Sequence, residues 1–250
     1  MITIKTEEEI ALMRESCRRL AVLHSELREF LKPGISTEDI DAFGEELIGK
    51  LGGIPNFKNY QGYPAAICVS VNDEVVHGIP RADRIINDGD IVSLDCGLIY
   101  KGYHSDAART HAVGEVSPAV KGLIEATKQS FFDGIKMAKA GNHLHDISNA
   151  IAESLEDGGY GIVTDLTGHG IGTHLHEDPS IPNFRMRRRG PKLKAGMTLA
   201  IEPMVALGSG DVEWLSDGWT VVTADGTWAA HYENTVLITD GEPEILTIEE

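Results

Sequence analysis

The chain has 250 residues, 42% of them hydrophobic, which is enough for a globular fold with a substantial buried core. Asp and Glu outnumber Lys and Arg by 39 to 22, and the net charge of −17 repels phosphate backbones and anionic lipid surfaces, so neither nucleic acid nor membrane is an expected partner. No stretch approaches the roughly 20 apolar residues of a membrane span, no apolar run marks a secretory signal, and Cys17, Cys68 and Cys96 are odd in number and widely spaced, so a cytoplasmic protein with reduced thiols is expected.

Thr6 followed by Glu9 reads as a capping box, and Ile10, Met13, Cys17, Leu20, Leu27 and Leu31 continue at helical spacing up to Pro33 and Gly34. A second helix is predicted from about Thr37 to Leu51, stopped by Gly52 and Gly53, with strand-like stretches after it. The pattern then recurs. A shift of 107 residues lays "KPGISTEDIDAFGEEL" at 32 on "KAGNHLHDISNAIAES" at 139, and the same shift lays "INDGDIVSLD" at 86 on "LKAGMTLAIE" at 193. It matches Gly89 with Gly196 and Asp95 with Glu202. The expectation is one α+β domain over residues 1–250, made of two pseudo-twofold halves of about 1–115 and 116–250. Helices would cover a mostly antiparallel curved sheet, with a site between the halves.

In "DIVSLDCGLIYKGYHSDAART" two strand-like runs flank Lys101-Gly102, and pairing about that turn makes partner numbers sum to about 201. Asp95 and Asp106 then lie opposite or diagonal on one face, with Val92, Leu94, Cys96 and Leu98 on the other. The second half offers a corresponding pair, Glu202 in "TLAIEPM" and Glu233 in "AAHYENTVLIT". Buried carboxylates repel one another unless protons or cations compensate them, and two divalent cations would balance four.

The stretch "GHGIGTHLHEDP" places His169, His174 and His176 among three glycines, which let backbone and imidazole approach a crowded centre. A structural zinc site would need four N or S ligands, and no cysteine lies near. A phosphate loop would need a following Lys-Ser or Lys-Thr, and here Glu177 and Asp178 follow. His169 is therefore expected to join the carboxylates as a metal ligand. His77 reads, from its own neighbours, as a turn residue before Gly78 and Pro80.

The ordered set Asp95, Asp106, His169, Glu202 and Glu233 resembles the metal signature of methionine aminopeptidases, within the wider pita-bread peptidase family. "YQGYPAAICVSVNDEVVHGIP", "GHGIG", "IEP" and "YENT" are similar to that family's motifs in the same order, over nearly the whole chain, in the short type I form. The resemblance implies the pseudo-twofold pita-bread fold and removal of the N-terminal methionine from nascent polypeptides by a metal-bridged hydroxide. It implies two divalent ions, Co, Mn or Fe, with Asp95 and Glu233 bridging, Asp106 on one ion and His169 with Glu202 on the other. Glu202 would shuttle the proton, and His77 and His176 would bind the scissile amide and a carbonyl oxygen. Tyr60, Tyr63, Cys68 and Trp219 would line a pocket for the methionine side chain, with Phe57 at its rim.

The implied partners are chains with a free amino-terminal Met and a small second residue, met near the ribosome by a monomeric enzyme. One departure is Leu175, where relatives carry an aromatic residue; His174 matches no family ligand and is expected at the surface or supporting the site from outside. Two other readings compete. A pita-bread peptidase for Xaa-Pro bonds usually carries an extra N-terminal domain, and a binding module that lost its chemistry would typically have lost some of the five ligand residues.

Overall fold

The computed structural model describes residues 1–248, so the last two residues of the expected 1–250 domain lie outside the described part. Helix α1, Glu7–Phe30, starts on the Thr6/Glu9 capping box and buries Met13, Cys17, Leu20 and Leu27 on one stripe. Helix α2, Thr37–Lys50, starts on a second box between Ser36 and Asp39. Helices α3, Pro118–Ile135, and α4, Leu144–Glu156, occupy the corresponding places in the second half. Every strand pair among the described residues is antiparallel. None of the described helices is long and apolar enough to cross a membrane.

The shift of 107 residues reappears bond by bond. Gly34 N donates to Ile86 O at 2.8 Å, and Gly141 N to Leu193 O at 3.0 Å; Thr37 N donates to Arg84 O and Leu144 N to Pro191 O, both at 2.9 Å. The lone bridges Ser36–Ile85 and His143–Lys192 keep the same offset. Gly34 and Gly141 have φ of 93° and 99°, a left-handed conformation that glycine adopts without a Cβ clash, so these identities in the repeat are backbone requirements.

The first hairpin pairs Ile91–Tyr100 with Tyr103–Ala112, and Tyr100 lies opposite Tyr103. Lys101 and Gly102, at φ 49° and 85°, form a two-residue turn with both φ positive, whose twist lets the strands pair right up to it. Partner numbers therefore sum to 203 rather than about 201: Asp95 faces Ala108, Asp106 faces Gly97, and the two acids are diagonal on one face. Val92, Leu94, Cys96 and Leu98 are buried on the other, against α1 and α2.

In the second half the equivalent strand breaks at Glu202-Pro203 into Thr198–Ile201 and Met204–Ala206. The partner strand is displaced further along the chain. The bond Val113 N to Asp90 O, 2.8 Å, repeats as Ile238 N to Met197 O, 2.8 Å, so that 113 maps to 238, a shift of 125 and hence 18 residues more than 107. The extra residues form a hairpin of Val212–Trp214 and Val221–Thr223, which crosses to the first half and pairs Val221 with Val76, in the strand Glu74–Val76. The expected correspondence of the acid pairs fails at one position: Glu233 stands where the first half has Ala108, and His231 where it has Asp106.

Candidate metal centre

Asp95 and Asp106 come from the two strands of the first hairpin; Glu202 and Glu233 come from the two of the second, brought opposite one another by the register of Ile201 with Asn234 and Met204 with His231. His169 lies on Gly168–Gly170, paired to Ala200 of the strand that leads into Glu202. Its Nε2 is 3.7 Å from Asp106 Oδ2 and 3.6 Å from Glu202 Oε1. Ligand atoms of Asp106, His169 and Glu233 lie within 4.8 Å of one another.

The glycines around His169 act somewhat differently from the sequence expectation. A Cβ on Gly168 would meet the Ala200 carbonyl, and one on Gly170 the Asp178 carbonyl, so both clear the neighbouring strands rather than the imidazole. Gly170 O also accepts a hydrogen bond from His169 Nδ1 at 2.9 Å, which assigns the ring proton to Nδ1 and leaves the Nε2 lone pair toward the carboxylates.

That arrangement is unfavourable without a cation. Burial, and the nearby His176, push His169 down to about 3, so at neutral pH its lone pair faces acidic oxygens. Burial, opposed by His231 and reinforced by Glu202, pushes Asp95 up to about 7, and burial pushes Glu202 up to about 8. Asp106 is raised by burial and then by Asp95 and Glu202; Glu233 is raised by burial and then by Asp106, Glu202 and Asp95. Asp95 Oδ1, Asp106 Oδ1 and Glu233 Oε1 are buried with no hydrogen-bond partner among the described residues. Four carboxylates, orphaned oxygens and one neutral imidazole aimed at them fit divalent cations with hard oxygen preference.

One cavity of about 200 Å³ is lined by all twelve residues singled out from the sequence: the five above with Phe57, Tyr60, Tyr63, Cys68, His77, His176 and Trp219. Trp219 reaches it from the extra hairpin, its ring edge-on to Tyr63 at 5.1 Å and to His77 at 6.2 Å between centroids. Tyr63 Oη is tied down by donating to Gly78 O at 2.9 Å. His77 sits at φ 58°, the left-handed region where a residue with a Cβ is strained, and burial followed by His231 and His176 lowers it to about 4. His176 Nδ1 is 2.7 Å from Tyr60 Oη, and burial lowers its pKa as well. Phe57, 8% exposed, lines the cavity and packs in the same cluster as Tyr63, Cys68 and Leu175. Leu175, also buried, gives the cavity an aliphatic wall, while His174 is exposed on a neighbouring groove.

Two residues escaped the sequence reading. His231 is buried, with Nε2 3.5 Å from Glu202 Oε2, and the repeat offers its signal only once the 18 extra residues are accounted for. Arg109 donates to Glu233 O and Asn234 Oδ1 from behind, fixing the backbone that carries Glu233. Asp106 converges with both His169 and Glu233, because the diagonal register carries it toward the second half.

Comparison with known proteins adds an independent line. The profile of Metallopeptidase family M24 matches residues 11–240. A methionine aminopeptidase of Clostridium acetobutylicum is 52% identical over 248 residues, 99% of each chain. The crystal structure of methionine aminopeptidase from Thermotoga maritima superposes with a TM-score of 0.97 at 46% identity over the full length of both chains. A Xaa-Pro dipeptidase from Bacillus anthracis shares the fold at a TM-score of 0.81 and 26% identity, but this chain covers only 62% of it. With its profile matched along nearly the whole chain, its pita-bread fold and its acid-rich centre, the chain belongs to metallopeptidase family M24.

Proposed function

We propose that this chain is an aminopeptidase that removes the N-terminal methionine from nascent polypeptides with a free amine and a small second residue. The observation that carries the reading is a single cavity with apolar and aromatic walls that ends on four carboxylates and a neutral imidazole. The relatives named above carry that activity in their names, and they match end to end. Xaa-Pro peptidases share the fold over only part of their length.

Asp95, Asp106, His169, Glu202 and Glu233 would hold two divalent ions between the two hairpins, with Asp106, His169 and Glu233 drawn together at the centre. The ions are Co, Mn or Fe; when bound they supply Lewis acidity and lower the pKa of water. Glu202, with Oε2 3.5 Å from His231 Nε2 and Oε1 3.6 Å from His169 Nε2, would take up and return the proton at its carboxyl oxygens. His77, kept neutral by burial, and His176, whose ring meets Tyr60 Oη, hold the scissile amide and the carbonyl oxygen by hydrogen bonds that strengthen as charge develops. Phe57, Tyr60, Tyr63, Cys68, Leu175 and Trp219 enclose an unbranched thioether side chain.

The chain is further taken as one catalytic domain of two halves, about 1–115 and 116–250, which the repeated hydrogen bonds support. It would act as a cytoplasmic monomer close to the ribosome, a placement in keeping with three free buried cysteines. The test is release of the first residue from Met-Ala-Ser, Met-Leu-Ser, acetyl-Met-Ala-Ser and Ala-Pro-Ser by the Mn- or Co-loaded protein. Met-Ala-Ser should be cleaved best, the acetylated peptide not at all and Met-Leu-Ser poorly. Preferential cleavage of Ala-Pro-Ser would overturn the reading, as would no cleavage with metal bound.

A further inference from the structure

The extended segment before α1 crosses the molecule to the loop that carries His176. Lys5 N donates to Gly196 O at 2.8 Å, which lays the segment along the second half. The Lys5 ammonium then donates to Glu177 Oε2 at 2.7 Å, and Thr3 Oγ1 donates to the same oxygen at 2.6 Å. The other oxygen, Oε1, accepts from the backbone N of His174 at 3.3 Å. One carboxylate thus collects three donors and clamps the loop on both sides of His176. The side chains of Lys5 and Glu177 are only 5% and 8% exposed.

Ion pairs this buried are rare, because desolvation consumes most of what the attraction returns, and an apolar pair of similar size often serves stability equally well. Space is also reserved for it. A Cβ on Gly172 would stand 2.6 Å from Glu177 Oε1 and 2.8 Å from Lys5 Nζ, so the last glycine of "GHGIG" clears the ion pair and not the metal centre. A Cβ on Gly196 would stand 2.9 Å from Lys5 O. The imidazole of His176 is restrained by Tyr60 Oη at 2.7 Å on its side-chain end, whereas its backbone end is restrained through Glu177.

We propose that Lys5 is a positioning residue for His176: its buried pair with Glu177 sets the backbone of residues 174–177 so that the ring meets Tyr60 and faces the cavity. This rests on the reading above, in which His176 touches the substrate. Lys5 itself touches neither substrate nor reacting atoms.

The test uses Lys5→Met in the full chain. Loss of alignment alone should lower kcat on Met-Ala-Ser by about tenfold, leaving KM within about twofold and bound Mn unchanged. In a His176→Ala background the same substitution should change kcat by less than about twofold, since the group it aligns is gone. Lys5→Arg, which keeps the charge, should recover activity to within about threefold of the parent. In metal-free protein, the Cε1–H NMR signal of His176 should move on Lys5→Met while that of His77 stays in place. An equal loss of kcat in both backgrounds would make Lys5 merely structural, and so would an unmoved His176 signal. Should Lys5→Met fold poorly, Thr3→Val removes the Thr3 hydroxyl's bonds to Glu177 and Lys5, leaves the ion pair, and should shift the His176 signal in the same direction by less; no shift overturns the proposal. A wild-type protein that cleaves no peptide would defeat the functional reading, yet the ring signal would still decide the role of Lys5.

Discussion

In the first half, a two-residue turn at Lys101-Gly102 closes the hairpin, and Asp95 and Asp106 sit diagonally across it; in the second, 18 more residues open the same hairpin and Glu202 lies opposite Glu233. Both hairpins deliver two carboxylates to the seam, so the acidic centre belongs to the shared plan. The extra residues add what the first half lacks: a strand that pairs back onto Glu74–Val76 beside His77, and Trp219 in the cavity wall. Each hairpin thus supplies two of the four carboxylates, while the extra residues add one indole to a wall otherwise formed by Tyr60, Tyr63, Cys68 and Leu175.

The largest effect is expected from removing one carboxylate from each hairpin. Asp106→Ala and Glu233→Ala should each abolish most metal binding and lower activity by more than the roughly 10- to 100-fold typical of outer partners of a metal site. The metal-free variants should be as stable as the parent or more so, because a buried repelling charge is gone. Metal titration and thermal melts check both; a variant that retains full metal and turnover would remove that residue from the centre.

A second effect follows from the raised carboxyls. In metal-free protein, Asp95 at about 7 and Glu202 at about 8 bind protons more tightly folded than unfolded. Their contribution to stability is fully present below the ordinary carboxylate range and is lost as pH rises through 7 and 8. The melting temperature of metal-free protein should therefore fall between about pH 5 and pH 9, by roughly 2–4 °C for each kcal/mol lost in a chain of this size. Saturating Mn should flatten the curve, since the cation takes over from the protons. A metal-free melting curve that is flat over that range would mean the four acids are not packed together in solution.

On the selection side, Trp219→Ala should lower kcat/KM for Met-Ala-Ser by about 1–3 kcal/mol while leaving bound Mn unchanged. The preference for Met over Ala at the first position should shrink by the same factor, read from paired peptides. Metal loss instead would tie the extra hairpin to the centre and erase the division between the two regions.

Much of this was legible in the sequence because it is local or periodic. The capping box read at Thr6 starts the first helix, the second starts at Thr37 as expected, and the repeated glycines reappear as left-handed turns. The order of acids and histidine singled out residues that the fold gathers around one cavity. What was not legible depends on distance along the chain. The hairpin register came out two positions away because it hinges on φ at Lys101 and Gly102 rather than on alternation of side chains. His231 is hidden by the 18 extra residues, and no local pattern links Lys5 to Glu177, 172 positions away.

The finest test sets one glycine in each hairpin against the other. Gly102 and Gly218 have φ of 85° and 80°, and a Cβ on either would meet nothing within 4 Å among the described residues, so alanine brings the same backbone strain and no clash. Each Gly→Ala change should cost on the order of 1 kcal/mol of stability, lowering the melting temperature by a few degrees. Their effects on catalysis should differ. Gly102 closes a turn whose flanking strands pair over ten rungs, so the diagonal of Asp95 and Asp106 absorbs the strain and kinetics should stay within about twofold. Gly218 directly precedes Trp219, whose backbone N is held by Asp217 Oδ1 at 2.8 Å, and a shift there moves the indole against Tyr63 and His77. KM for Met-Ala-Ser should rise about three- to tenfold in Gly218→Ala with Mn binding unchanged. Equal kinetics in the two variants would mean that the wall formed by Trp219 tolerates displacement, and that selection for the first side chain rests on the residues of the first half.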